Sequence, residues 1–186
     1  MDWRIVTPAQ EEPVSLEEAK DQIRILEDYE DDLISAKITA ARQWAEAYLG
    51  KAIANQTLAA STAEFSEVID LPMSNLIDVD TVEYLDTEAN TETLPSTVYG
   101  LNKFSSPGSI YLRSGQSWPS VYSDPLAVTI TYQVGWPSVP EAIKEAIRLM
   151  VGTLEENRSD NVVGLTAQEL PMSAKALLWP YRTIGI

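Results

Sequence analysis

Apolar residues first recur at helical spacing after a short extended opening. Arg4-Ile5-Val6-Thr7-Pro8 is apolar and then proline-punctuated, and Glu11-Glu12-Pro13-Val14 continues as extended chain. Ser15-Leu16-Glu17-Glu18 then reads as a capping box, in which the Ser15 hydroxyl accepts the Glu18 N–H and the Glu18 carboxylate accepts the Ser15 N–H. Leu16, Ala19, Ile23 and Leu26 form one short stripe behind it. A second, longer stripe, Ile34, Ile38, Ala41, Ala45 and Tyr48, steps by fours and threes, flanked by Leu33 and Trp44. It predicts a helix over 31–49, with Gly50 as its left-handed C-cap.

From Asn55 the period changes to short runs of Thr, Val, Ile and Tyr broken by Pro, Gly, Asn and Ser, the pattern of small antiparallel strands. The expected strands are 56–63, 67–71, 79–86, 97–101, 108–113 and 126–134. The last alternates Val128, Ile130 and Tyr132 with Thr129, Thr131 and Gln133, so one face is expected to be buried. Helix returns behind Ser138-Val139-Pro140-Glu141, read as a second capping box, with Ile143, Ile147, Met150 or Val151, and Leu154 as the apolar face. It fades at Glu155-Glu156-Asn157-Arg158. A polar loop through Gly164 leads to a short helix from Pro171 to Leu178, halted before Pro180 and trailed by the aromatic segment Trp179-Pro180-Tyr181-Arg182.

Helices at both ends with strands between them predict an α+β fold. Its N- and C-terminal helices pack together around an inserted antiparallel β region. We read residues 1–186 as one domain: an arm and two helices over 1–54, the β insertion over 55–135, a long helix over 136–158, and a loop with a short C-terminal helix over 159–186. No internal repeat or low-complexity segment divides it.

Composition narrows the chemistry. The chain contains neither cysteine nor histidine, which removes disulfides, thiolate metal sites, Ser-His-Asp and Cys-His pairs, and the side chain best suited to proton transfer near neutral pH. The 8 glycines are scattered and build no phosphate loop. Glu27, Asp28, Glu30, Asp31 and Asp32 lack the Asp-x-Asp-x-Asp-Gly turn of a calcium loop and read as a solvated helix start. No catalytic residue, cofactor or metal is expected. With 13 Lys+Arg against 28 Asp+Glu and a net charge of -15, the chain is not built to grip phosphates. No signal-like or membrane-spanning apolar run is visible, and the expectation is a soluble cytoplasmic protein.

Trp and Tyr outnumber Phe, with 5 and 8 against 2, and both suit surfaces that are apolar at one end and wet at the other. Trp44 and Tyr132 sit in periodic stripes and read as core. Trp118, Trp136, Trp179 and Tyr181 lie at loops and element ends, where interface and core readings both stand.

The order of these landmarks resembles the tailed-phage head-tail connector family, also called adaptor or head-completion proteins. The matching text runs from Ile5-Val6-Thr7-Pro8 and the segment Glu12 to Lys20, through Asp31-Asp32-Leu33-Ile34, Ala40-Ala41-Arg42 and Ala45-Glu46-Ala47-Tyr48-Leu49-Gly50. It continues with Leu71-Pro72, Pro107-Gly108-Ser109-Ile110-Tyr111-Leu112, Val128-Thr129-Ile130-Thr131-Tyr132 with Gly135, and Pro140-Glu141-Ala142-Ile143-Lys144. It closes with Glu156-Asn157-Arg158, Leu177-Leu178 and Pro180-Tyr181-Arg182, while Asn161 to Glu169 departs from the pattern.

The resemblance implies a non-catalytic virion protein, made in the host cytoplasm, that forms a homo-oligomeric ring, commonly dodecameric, in the phage neck. It implies the portal protein and a downstream neck or tail connector as partners, with double-stranded DNA passing through unbound. It also makes Leu177, Leu178, Trp179, Tyr181 and Arg182 the first candidates for a portal-facing or intersubunit anchor, with Trp118 and Trp136 as further interface candidates. Acidity fits either a channel wall that repels DNA or plain solubility before assembly. Two alternatives remain from the residues themselves. One is a carboxylate-dependent glycan-processing or glycan-binding domain, which needs two carboxylates facing across a cleft. The other is an acidic DNA mimic, which needs regularly spaced charge on one face, a spacing the sequence does not show.

Overall fold

The computed structural model describes residues 1–25, 28–156 and 172–183. Leu26 and Glu27 of the first stripe and acidic cluster, and the expected polar loop with the departing segment Asn161 to Glu169, lie outside the described residues. The chain forms two compact units, one of residues 1–10 and 50–137, the other of 11–49 and 138–186.

The first unit is β. Its five-stranded antiparallel sheet has the order β1-β2-β8-β4-β5 and is built from β1 (Asp2–Thr7), β2 (Gln56–Thr62), β4 (Leu76–Leu85), β5 (Thr91–Thr93) and β8 (Val128–Val134). A three-stranded sheet, β3-β7-β6, is built from β3 (Val68–Asp70), β6 (Tyr99–Asn102) and β7 (Ser109–Leu112). Strand β8 is central, bonded to β2 on one side and β4 on the other, and its predicted alternation holds, with Val128, Ile130, Tyr132 and Val134 buried. These residues join Leu58, Ala60 and Val82 with Ile69, Ile110 and Tyr99 of the smaller sheet in one apolar cluster. The phenol of Tyr132 keeps its polar tip satisfied by donating to the Pro72 carbonyl at 2.8 Å, and burial pushes its pKa up.

Two strands depart from the sequence reading. The opening arm, grouped by sequence with the two helices, is strand β1 and pairs with β2. Strand β5, Thr-Glu-Thr, carries no apolar residue to announce it. It forms because Asp86 folds the hairpin, its Oδ1 accepting the N–H groups of Glu88 at 2.8 Å and Asn90 at 2.9 Å while Ala89 takes φ 64°.

The second unit is helical, comprising α1 (Leu16–Ile23), α2 (Asp31–Leu49), α3 (Glu141–Glu156) and α4 (Met172–Leu178) followed by a 3₁₀ turn, Trp179–Tyr181. The Ser15 capping box is present in both directions. Arg24 closes α1 in the left-handed conformation, its N–H reaching the Lys20 carbonyl. Helix α2 buries Ile34, Ile38, Ala41, Ala45 and Leu49, so the stripe ends on Leu49 and leaves Tyr48 half-exposed. Gly50 caps it at φ 67°. Helix α3 buries Ile143, Ala146, Ile147, Met150 and Val151 and packs against α1, α2 and α4, joining helices distant in sequence as the α+β reading expected.

Helix α3 begins at Glu141 rather than behind Ser138. The Pro140 carbonyl accepts the Ile143 and Lys144 N–H groups, and the Glu141 carboxylate pairs with Arg148 instead of a capping N–H. Leu154, expected on the buried face, is 36% exposed.

One ion network fixes the chain as it enters the helical unit. The Arg42 guanidinium, 7% exposed, donates from Nε to Glu12 Oε2 at 2.7 Å and from Nη1 to Glu46 Oε2 at 2.8 Å, and Thr39 Oγ1 donates to Glu12 Oε1 at 2.9 Å. Glu12 thereby ties the extended segment before Ser15 onto α2. Among the described residues, no helix is long and apolar enough to cross a membrane.

Candidate assembly interface

The aromatic tail is shaped by its own helix. Leu178, expected as an anchor, is fully buried, as is Ala174, and these two seat α4. Of the other candidates, Leu177 and Tyr181 are half-buried, Trp179 is 56% exposed and Arg182 is exposed. Pro180 converts the chain to a 3₁₀ turn because its ring removes an N–H from the helical ladder. The tail then returns to α2, where the Thr183 N–H donates to the Leu49 carbonyl at 2.9 Å, one of the orphan acceptors at that helix end.

This return assembles a group that sequence spacing did not reveal. The Arg182 guanidinium carbon lies 5.2 Å from the Tyr48 ring centroid and 5.7 Å from that of Trp179. Tyr48 stacks in turn on Trp44, centroids 5.2 Å apart and planes 14° from parallel. Trp44, read as core, is therefore half-exposed at the start of a ladder Trp44, Tyr48, Arg182, Trp179 on the helical unit. The i,i+4 spacing of Trp44 and Tyr48 was the available signal. Its continuation through Arg182 joins residues far apart in the chain. Contact with two aromatic rings favours the Arg182 cation and restricts its side chain.

Trp118 and Trp136, the two further interface candidates, lie in the β unit. Trp118 is half-buried, stacked on Phe65 with centroids 4.6 Å apart, and packs against the apolar cluster. Its Nε1 is buried and has no partner among the described residues. Trp136 is half-buried, its N–H donating to the Ile53 carbonyl at 3.1 Å.

Several carboxylates are engaged in structure. Lys20 Nζ donates to Asp28 at 2.7 Å and to Asp31 at 2.8 Å, tying both to α1, and the bond to Asp28 holds that carboxyl below its ordinary value. Arg148 gathers Glu141, Glu145 and Glu18. Among the described residues no group of three or more carboxylates could hold a metal ion. Glu64 and Asp124 border an open hollow of about 530 Å³ with Tyr122, but Asp124 Oδ1 is the acceptor of the Leu126 N–H at 2.8 Å and shapes the loop.

Comparisons with known proteins agree with this architecture. The model of the family described as phage gp6-like head-tail connector protein matches residues 13–93. Three solved chains resemble the whole fold. One is from the neck of an empty gene transfer agent particle computed with C6 symmetry, with TM-score 0.82 and 19% identity, covering 100% of this chain and 97% of that one. Another is from the neck of the native particle computed with C12 symmetry, with TM-score 0.80, 18% identity and the same coverage. The third is from the virion of the native particle, with TM-score 0.79 and 18% identity, again over 100% and 97%. No curated protein sequence matches. Residues 13–93 thus carry the sequence pattern of the phage gp6-like head-tail connector proteins, on a chain whose whole fold is that of proteins in gene transfer agent particles.

Proposed function

We propose that this chain is a non-catalytic structural subunit of the neck of a tailed phage or phage-like particle. Copies form a ring that joins the portal to the next neck protein and lets DNA pass. The observation that carries the reading is the end-to-end fold likeness to chains of gene transfer agent necks, coinciding with the connector family match over 13–93. The C6 and C12 symmetries of those necks support a ring. The net charge of -15 suits a wall that DNA must slide past, since fixed carboxylates repel phosphates.

Docking rests on the ladder at the tail of the helical unit. Trp179, Tyr181, Arg182 and Leu177, backed by Trp44 and Tyr48, form the portal-facing or intersubunit anchor. Leu178 holds α4 in place beneath them, while Trp118 and Trp136 serve the β unit. Covering the exposed half of Trp179 on a partner would add about 1 kcal/mol, with more from the desolvated cation and rings around it.

Mixing the purified protein with DNA-filled, tailless heads is expected to add ring-shaped density at the lower face of the portal in electron cryomicroscopy. A chain that stays monomeric and leaves the heads bare would overturn the proposal. Trp179→Ala is expected to weaken docking about tenfold with melting unchanged. Docking as tight as that of the unaltered chain, by that variant or by a chain ending at Leu178, would move the anchor elsewhere.

A further inference from the structure

We infer that two copies of the free protein pair antiparallel along the open edge of β1, about a two-fold axis that sets Trp3 of one against Trp3 of the other. The inference is independent of the ring reading and concerns the protein before assembly. Strand β1 ends the sheet order, bonded to β2 alone, and all six of its residues are exposed, Trp3 by 44%, Ile5 by 52% and Val6 by 50%. Residues directly opposite in an antiparallel pair share a face. Trp3 lies opposite Ala60 and Ile5 opposite Leu58, both in the buried cluster, whereas Asp2 lies opposite Ser61 and Arg4 opposite Ala59 on the other face. The edge therefore ends the core-side face on two large apolar side chains in water, and the other face on one acid and one base. Neither charge has an ion pair among the described residues.

Free N–H and C=O groups on such an edge recruit another strand, and the side chains decide which strand fits. A second copy of β1 fits in one register. With the axis at Trp3, Asp2 of each copy faces Arg4 of the other, giving two opposite-charge pairs on one face. On the apolar face Trp3 meets Trp3, and Ile5 meets Met1, itself 50% exposed. With the axis at Asp2 or at Arg4, two like charges stand directly opposite. With the axis midway between two residues, charged positions are set beside apolar ones on the same face. With the axis at Ile5, Arg4 faces Val6 and the pair runs into the irregularity between Ile5 and Thr7. The strand is thus complementary to itself in both charge and apolar character. A two-fold contact is complete at two copies and does not recur around a cyclic ring. It covers the exposed edge in the free protein and is given up when a copy enters the ring proposed above.

The absence of cysteine makes the register readable. Under oxidation, Trp3→Cys is expected to give a covalent dimer and nothing larger, because directly opposite positions lie within disulfide reach. Asp2→Cys and Arg4→Cys are expected to stay monomeric on denaturing gels, since each stands two residues out of step with its own counterpart. In sedimentation equilibrium without heads, the unaltered chain is expected as a mixture of monomer and dimer. Arg4→Glu and Asp2→Arg are each expected to raise the dimer dissociation constant about tenfold, and the two together to restore it, with melting unchanged throughout. Covalent dimers from Asp2→Cys or Arg4→Cys in place of Trp3→Cys, a double charge variant no tighter than the singles, or an unaltered chain that is monomeric up to its solubility limit would each overturn the seam. Dimers that form while portal-bearing heads stay bare would support the seam and overturn the ring reading. Oxidised Trp3→Cys dimers that dock on heads as well as the reduced protein does would overturn the release of the seam on assembly.

Discussion

Arg42→Met removes the cation that holds Glu12 and Glu46 together, and its cost follows from burial. Breaking a buried ion pair from one side costs about 3–5 kcal/mol, because the remaining charge stays desolvated. Glu46 is 8% exposed and bears that penalty, whereas Glu12 is 28% exposed and regains water. Allowing for the wetter partner gives a loss of about 2–4 kcal/mol. For a chain of this length that corresponds to a fall of roughly 4–16 °C in melting temperature, followed by the helical circular dichroism signal. Neutralising the network as a whole, with Arg42→Met, Glu46→Met and Glu12→Gln together, is expected to recover most of the loss, since nothing charged is left buried. A fall below about 2 °C for the single variant, or a triple variant no more stable than the single, would refute the reasoning.

The Ser15 backbone N–H, as the largest cause, holds the Glu18 carboxyl below its ordinary value, so the fold favours its ionised form. That stabilisation is present above the unfolded pKa and is lost as pH falls through the lowered folded value. The side chain is 43% exposed, so the gap between wild type and Glu18→Ala is at most about 1 kcal/mol. It should close between about pH 5 and pH 3 in urea titrations, and a gap independent of pH would contradict the assignment. Tyr132→Phe strands the Pro72 carbonyl and is expected to cost about 1–3 kcal/mol in chemical denaturation. Gly135→Ala would place a Cβ 2.8 Å from the Ala54 carbonyl oxygen at φ 135° and is expected to cost at least about 2 kcal/mol, read as a lower urea midpoint.

Elements fixed by local chemistry were legible before the fold was seen. The Ser15 box, the α2 stripe with its Gly50 cap and the alternation of β8 each need only neighbours in sequence. Elements decided by distant partners were not. β5 exists because Asp86 turns the chain back, and β1 becomes a strand because β2, some fifty residues later, offers an edge. Pro140 displaced Ser138 at the start of α3 because Arg148, two turns on, took the Glu141 carboxylate. The same holds at the candidate interface. The aromatic tail is plain in the sequence, yet the difference between buried Leu178 and exposed Trp179 depends on which face of α4 meets α3. The Trp44, Tyr48 and Arg182 ladder depends on a return path that no local pattern encodes.

The chain passes between its two units three times, after residues 10, 49 and 137. Neither unit is a continuous stretch of sequence, and this orders events on the ribosome. Strand β1 precedes the central strand of its sheet, Val128–Val134, by more than a hundred residues, and the helical unit waits for α4 at Met172–Leu178. The β unit therefore cannot close until residues through Pro137 have been made, after the first segments of the helical unit, and its long-range pairings make it slow to form. Until β8 is in place, β2 and β4 are left without the strand that lies between them.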